Sequence, residues 1–187
     1  DIAAVTSRFY TRWDSGLYQE WLRRFDLDEN KRVKELSAGM RVKFNLALAL
    51  SHRARLLLLD EPTSGLDPVS RDELLDIFLD LVSDGETSIL FSTHIITDLE
   101  RCADSITYIR QGRLLASCDR ESFIDRYVSV RGGRDLLDAA LRASLIGLRE
   151  HAFGFEGLLP AEDAARFAGL ETGRPSLESV MVHLERE

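Results

Sequence analysis

Two adjacent carboxylates, Asp60 and Glu61, close the string LLLLDEPTSGLD at Leu56–Asp67. Charge delivered abruptly at the end of an apolar run stands at the carboxyl edge of a sheet, where α/β proteins bind ligands. A second polar tip follows one helix later: SILFS leads directly into Thr93 and His94. A third group lies upstream, in LSAGM at Leu36–Met40. There a serine and a glycine open a helix, exposing backbone N–H groups and the positive end of the helix dipole, a combination able to hold a phosphate. Taken singly, the acidic pair reads equally as solvated loop residues, the histidine as a surface residue and LSAGM as an ordinary capped helix.

The elements that must position these groups follow from pattern. Four leucines ended by charge are too short for a helix and suit a strand buried on both faces of a parallel sheet. Pro62 stops the strand, Gly65 permits a tight turn, Asp67 caps the next helix and Pro68 takes its first position. That helix runs to about Asp84, with Leu74, Leu75, Phe78, Leu79 and Val82 as its core stripe and Gly85 beyond its end. Ser88–Ser92 is the next buried strand. Ser37 caps a helix that is apolar nearly all round at Val42, Phe44, Leu46, Leu48 and Leu50, and so is expected to be buried. Residues 1–25 are mostly helical, with Leu17, Trp21, Leu22 and Phe25 on one face; Trp13 and Trp21 read as packing residues. Asp26–Lys34 is a loop. Farther on come a short helix at Ile96–Cys102, a hairpin turning at Gln111-Gly112 and a helix at Arg120–Tyr127. A strand at Val128–Arg131 ends in Gly132-Gly133. Ile146–Leu159 has strand character, and Ala161–Ala168 and Ser176–Glu185 look helical.

In combination and in order, LLLLDEPTSGLD resembles the Walker B strand, catalytic glutamate and D-loop of the ATP-binding cassette (ABC) ATPases. LSAGM resembles their signature motif, LSGGQ, matching at Ser37 and Gly39 and departing at Ala38 and Met40. His94 matches their switch histidine. The match covers roughly residues 1–127 and is of the exporter type with a separate membrane subunit. It implies an α/β fold: a P-loop NTPase-like partial parallel sheet flanked by helices, with part of the helical signature subdomain (about 1–51), core (about 52–127) and a small α+β C-terminal appendage (128–187). It also implies ATP and Mg²⁺ as cofactors. Glu61 would be the base for the attacking water and Asp60 a holder of Mg²⁺ through water, while His94 would contact the γ-phosphate. Ser37, Ala38, Gly39 and Met40 would bind the nucleotide of a second copy, and Gly65, Leu66 and Asp67 would lie between the copies. The implied partners are that second copy, head to tail, and a transmembrane permease. The implied location is cytoplasmic, on the inner face of the cell membrane.

Composition bounds the alternatives. The 187 residues carry 24 basic and 32 acidic side chains, a formal charge of −8, and nucleic-acid surfaces normally need a basic patch. No nucleic acid is therefore expected, which weighs against a soluble cassette ATPase acting on ribosomes or DNA. Intact Glu61 and His94 weigh against a non-catalytic interaction module. Cys102 and Cys118 fit no metal spacing and read as reduced thiols. The phosphate loop GxxxxGK[ST] of P-loop ATPases has no counterpart in these residues, and the chain opens on Asp1 without an initiator methionine. The chain is expected to be the C-terminal part of a cassette, inactive by itself.

Overall fold

A computed structural model describes residues 2–167 and 169–186. The chain divides into two compact units, Asp1–Asp98 and Leu99–Glu187.

The first unit opens with α1 (Ile2–Thr6) and α2 (Ser15–Arg24). The Asp14 carboxylate caps α2 by accepting from Leu17 N–H at 3.0 Å, and α2 buries Leu22, followed by Phe25. The two tryptophans pack locally: Trp13 Nε1–H donates to Ser15 Oγ, and the Trp21 ring lies tilted against Phe25 at 5.3 Å between centroids. A 3-10 turn (Val33–Glu35) leads to α3 (Ala38–Ser51). Of its apolar residues, Leu46, Ala47 and Leu50 are buried, while Val42, Phe44 and Leu48 are half-buried. The helix thus buries one face only, contrary to its all-round apolar sequence. Asp14 N–H donates to Ser51 O at 2.8 Å, and Arg53 pairs with the Asp14 carboxylate at 3.0 Å, tying the start of α2 to the end of α3.

Then come β1 (Leu56–Asp60), α4 (Pro68–Val82) and β2 (Ser88–Ser92), a βαβ unit whose strands pair in parallel, Leu56 with Ser88 through Asp60 with Ser92. The expected burial on both faces is not found. Leu57 is buried, and Phe91 lies against Phe78 of α4 at 5.8 Å between ring centroids. On the other face Leu56, Leu58 and Leu90 are 56%, 68% and 61% exposed. A parallel strand is covered on both sides only between two layers, and α4 supplies one. In α4, Leu79 is exposed and Leu81 is buried with Leu74, Leu75 and Phe78; the covered stripe is turned away from position 79.

The second unit begins within α5 (Ile96–Cys102). It continues as an antiparallel hairpin of β3 (Ser105–Arg110) and β4 (Arg113–Asp119), then α6 (Arg120–Ile124). Gln111 and Gly112 both have positive φ, +49° and +74°, the conformation that matches a two-residue turn to strand twist. The helix expected to reach Tyr127 stops at Ile124, because Tyr127 already opens β5 (Tyr127–Gly132). After α7 (Ala139–Ser144), β6 (Ile146–His151) and β7 (Gly154–Pro160) form a second hairpin. With the short β8 (Glu171–Gly173) the sheet order is β6-β7-β5-β8, antiparallel throughout. Of the helix expected at 161–168, only a 3-10 turn at Ala164–Arg166 forms; Ala168 lies outside the described residues. Val130, Leu141, Phe155 and Leu159 make the core under this sheet. The last helix, α8 (Leu177–Leu184), is capped by Ser176 and buries Leu177 and Val180. Gly147, at φ +60°, lets β6 approach the backbone of His183 where a Cβ would collide.

Candidate functional site

The acidic pair sits where β1 and β2 end together. Alternation along the strands puts Asp60 and Ser92 on the open face, continuous with Leu58 and Leu90. Ser92 Oγ donates to Asp60 Oδ1 at 2.6 Å. Glu61 N–H is taken up twice, by Ser92 O at 3.1 Å and by Ser92 Oγ at 3.0 Å. Glu61 itself has φ +46°, a left-handed conformation that costs a non-glycine residue on the order of 1 kcal/mol and persists where surroundings enforce it. From that backbone its carboxylate reaches His94, whose Nδ1 lies 2.9 Å from Glu61 Oε2. The histidine side chain is 71% exposed and the glutamate 36%. Nδ1 faces the glutamate, and Nε2 is the ring nitrogen farther from it.

The turn from Glu61 to Asp67 is anchored from within. Pro62, Thr63 and Leu66 are buried, and Ser64 N–H and Leu66 N–H donate to Glu61 O and Thr63 O at 3.1 and 3.2 Å. Gly65 has φ +71° and nothing within 4 Å of where a Cβ would stand, so backbone conformation, not space, calls for glycine there. Asp67 caps α4, accepting from Val69 and Ser70 N–H at 3.1 and 3.0 Å and from Ser70 Oγ at 2.7 Å. The Ser70 hydroxyl foremost, then the Ser70 and Val69 amides, hold the Asp67 carboxyl below its ordinary range.

Ser37 caps α3 as expected, its Oγ accepting from Met40 N–H at 3.2 Å. Ser37 is exposed; Ala38, Gly39 and Met40 are half-buried. A Cβ on Gly39 would stand 3.5 Å from Ser70 Cβ and 3.8 Å from Leu66 Cδ2. The structure therefore gathers the sequence candidates into two groups joined by the turn: Asp60, Glu61 and His94, and Gly39, Leu66 and Asp67. Two members escaped the sequence reading. Ser70 stands three residues after Asp67, as a reciprocal partner of a helix cap does. Ser92 becomes legible once LLLLD and SILFS are laid side by side in parallel, since their last residues then pair.

A family model described as "AAA domain, putative AbiEii toxin, Type IV TA system" matches residues 14–97. Among known proteins, the chain is 29% identical over 184 residues to the ABC transporter ATP-binding protein YtrB of Bacillus subtilis, covering 97% of the chain and 63% of that protein. It is 31% identical over 179 residues to YhaQ, an uncharacterized ABC transporter ATP-binding protein of the same organism, covering 87% and 60%. To the daunorubicin resistance ATP-binding protein DrrA3 of Streptomyces coeruleorubidus it is 38% identical over 125 residues, covering 66% and 38%. Among solved structures, cbiO1 of Clostridium perfringens, part of the ABC transporter complex cbiONQ, superposes with a TM-score of 0.51 at 26% identity, over 58% of this chain and 45% of that one. A putative metal-chelate type ABC transporter shares the fold, with a TM-score of 0.52 at 21% identity over 78% and 56%. The chain spans less than two thirds of the length of each of these relatives. Sequence relatives and structural neighbours agree: the chain is similar to part of an ABC transporter ATPase.

Proposed function

We propose that this chain is part of the ATP-hydrolysing subunit of an ABC transporter, and that the cluster at the ends of β1 and β2 is the hydrolytic part of its site. One observation carries the reading: a histidine from the end of one strand meets, at 2.9 Å, a glutamate from the end of its parallel neighbour, beside a second carboxylate. A pair so placed can orient a water between an acceptor and a phosphate. Glu61 deprotonates that water, and His94 contacts the γ-phosphate through Nε2, the ring nitrogen farther from Glu61. Mg²⁺ is held by one or two carboxylates together with substrate phosphates, and an exposed Asp60 at a strand end is a donor of that kind, acting through water. When bound, the cation offsets charge on the phosphate oxygens.

The remaining assignments rest on the family likeness. Ser37 and Gly39, with Ala38 and Met40, donate to the γ-phosphate carried by a second copy, and Gly65, Leu66 and Asp67 line the contact between copies. The adjacency of Gly39 to Leu66 and Ser70 supports one continuous surface for both motifs. The phosphate loop belongs to the whole protein, so this chain by itself hydrolyses no ATP. ATP closes the two copies, hydrolysis opens them, and a separate transmembrane permease on whose cytoplasmic side they sit uses the cycle for export. None of the described helices is long and apolar enough to cross a membrane.

The test is Glu61→Gln in the whole protein. Glutamine is nearly isosteric but accepts no proton, so turnover is expected to fall about a hundred- to ten-thousand-fold, and the variant to accumulate as an ATP-bound dimer. Asp60→Asn is expected instead to weaken the Mg-ATP complex itself. Size-exclusion chromatography with light scattering, with and without Mg-ATP, separates the two. A Glu61→Gln protein that stays monomeric at saturating ATP overturns the two-copy site; one that hydrolyses at the parent rate overturns Glu61 as the base.

A further inference from the structure

We propose that Ser92 is the positioning residue of the acidic pair, one hydroxyl holding the Asp60 carboxylate and the Glu61 backbone together. Its consequence for catalysis rests on the ATPase reading above.

The parallel register places Ser92 opposite Asp60 on the same face, where both strands finish. A hydroxyl has one proton to give and lone pairs to receive, an amide N–H only donates, and a carboxylate only accepts. The two contacts therefore have one consistent direction. Glu61 N–H donates to Ser92 Oγ at 3.0 Å, and Ser92 Oγ–H donates to Asp60 Oδ1 at 2.6 Å. Each bond polarises the next. The first holds the amide of a residue in the left-handed region, φ +46°, the conformation from which Glu61 reaches His94. The second fixes the rotation of the Asp60 carboxylate, leaving its other oxygen to face the nucleotide's cation. Ser92 touches neither water nor phosphate in this scheme; it acts through the two acids. The ladder bond from Glu61 N–H to Ser92 O at 3.1 Å does not need the hydroxyl, so a side-chain truncation leaves the strand pairing in place.

The experiment compares the parent with Ser92→Ala, Ser92→Thr and Glu61→Gln in the whole ATP-hydrolysing protein. It measures turnover, thermal unfolding, and ATP affinity with Mg²⁺ and with EDTA. Alanine is expected to lower turnover about tenfold, the scale of one hydrogen bond to a charged group. It should also shrink the gain in ATP affinity that Mg²⁺ brings, at an unfolding temperature close to the parent's. Threonine, which keeps the hydroxyl and suits a strand, is expected to restore both. Alanine that matches the parent in turnover and in metal gain overturns the proposal, as does threonine that restores neither. If Glu61→Gln turns over like the parent, the ATPase reading falls. Ser92 is then decided in the chain as it stands by hydrogen exchange of the Glu61 amide: faster exchange in Ser92→Ala but not in Ser92→Thr sustains it, and equal rates in all three overturn it.

Discussion

Leucine-rich strands in the two units meet opposite fates. In β1, Leu58 is 68% exposed and Leu56 56%, with Leu90 beside them on β2. In β7, Leu158 and Leu159 are fully buried. Composition does not separate them; layering does. The second unit closes its sheet with α7 on the Leu141 side and α8 through Leu177 and Val180, whereas α4 covers only one face of the parallel pair. Polar groups differ as well. In the second unit they tie elements to one another: Arg174 bridges Glu121 of α6 and Asp125 just after it, Arg110 reaches Leu184 O, and Tyr108 reaches Glu185. The first unit has such ties as well, Arg53 to Asp14, Arg24 to Asp80 and Lys43 to Glu73, but it also gathers Asp60, Glu61, Ser92 and His94 at the strand ends, where they keep exposed atoms. What distinguishes the first unit is a polar cluster left at an open sheet edge.

The largest effect should come from cutting the second unit. A boundary at 127/128, read from sequence, makes residues 128–187 a separable appendage. A second boundary takes Leu99–Glu187 as one compact unit. Truncation after Tyr127 removes α8 from Tyr108 and Arg110, and Arg174 from Glu121 and Asp125. On the second boundary the β3–β4 hairpin loses its protection, since isolated hairpins are marginal at best. Hydrogen exchange on the truncated chain reads this directly. Hairpin amides that stay protected support the boundary at 127/128.

Next in size is a matched pair of substitutions. Leu158→Ala empties a fully buried site and is expected to cost about 2–5 kcal/mol. Leu58→Ala removes a side chain 68% exposed in this chain and should stay within about 0.5 kcal/mol. Denaturant unfolding of both variants compares the faces. In the whole protein the same Leu58→Ala sharpens the contrast: a cost approaching that of Leu158→Ala there, but not in this chain, shows that the open face is covered by other parts of the protein. Similar costs in this chain itself would mean that the face is already packed.

Local patterns carried most of the elements. Ser37, Asp67 and Ser176 each cap a helix through a side-chain oxygen, and the strands at Leu56–Asp60 and Ser88–Ser92 lie at their expected bounds. Such signals are legible because partner and residue lie within three or four positions. What pattern could not supply was long-range. Leu79 and Leu81 are equally apolar, and only the tilt of α4 against its neighbours selects Leu81. The hydroxyl of Ser92 meets Asp60 across 32 residues of chain, a contact that exists only once the parallel register is known. The β6-β7-β5-β8 order likewise depends on which strands meet, not on their composition.

The smallest effect is a matter of pH. Tyr108 is buried, and burial first, then its hydrogen bond to the Glu185 carboxylate, raises its phenol to about 12 from an ordinary 10. The folded protein therefore keeps this proton more tightly than the unfolded chain. The associated stability is fully present below the unfolded value and is lost as pH rises through the folded one. Between about pH 10 and 12 the second unit should weaken with a slope that Tyr108→Phe removes, while the first unit, which has no part in this bond, follows its own course in both proteins. Near-ultraviolet absorbance of the phenolate, recorded with unfolding at each pH, is the measurement. In the parent one tyrosine should ionise last, together with loss of structure around α8, and in Tyr108→Phe that final phase should be missing. The variant also loses a bond at neutral pH, so its baseline stability is expected to be slightly lower and its alkaline decline shallower. Crossing stability curves are the signature. Parallel curves over that window would mean that the phenol titrates alike in both states and that Glu185 holds α8 by some other contact.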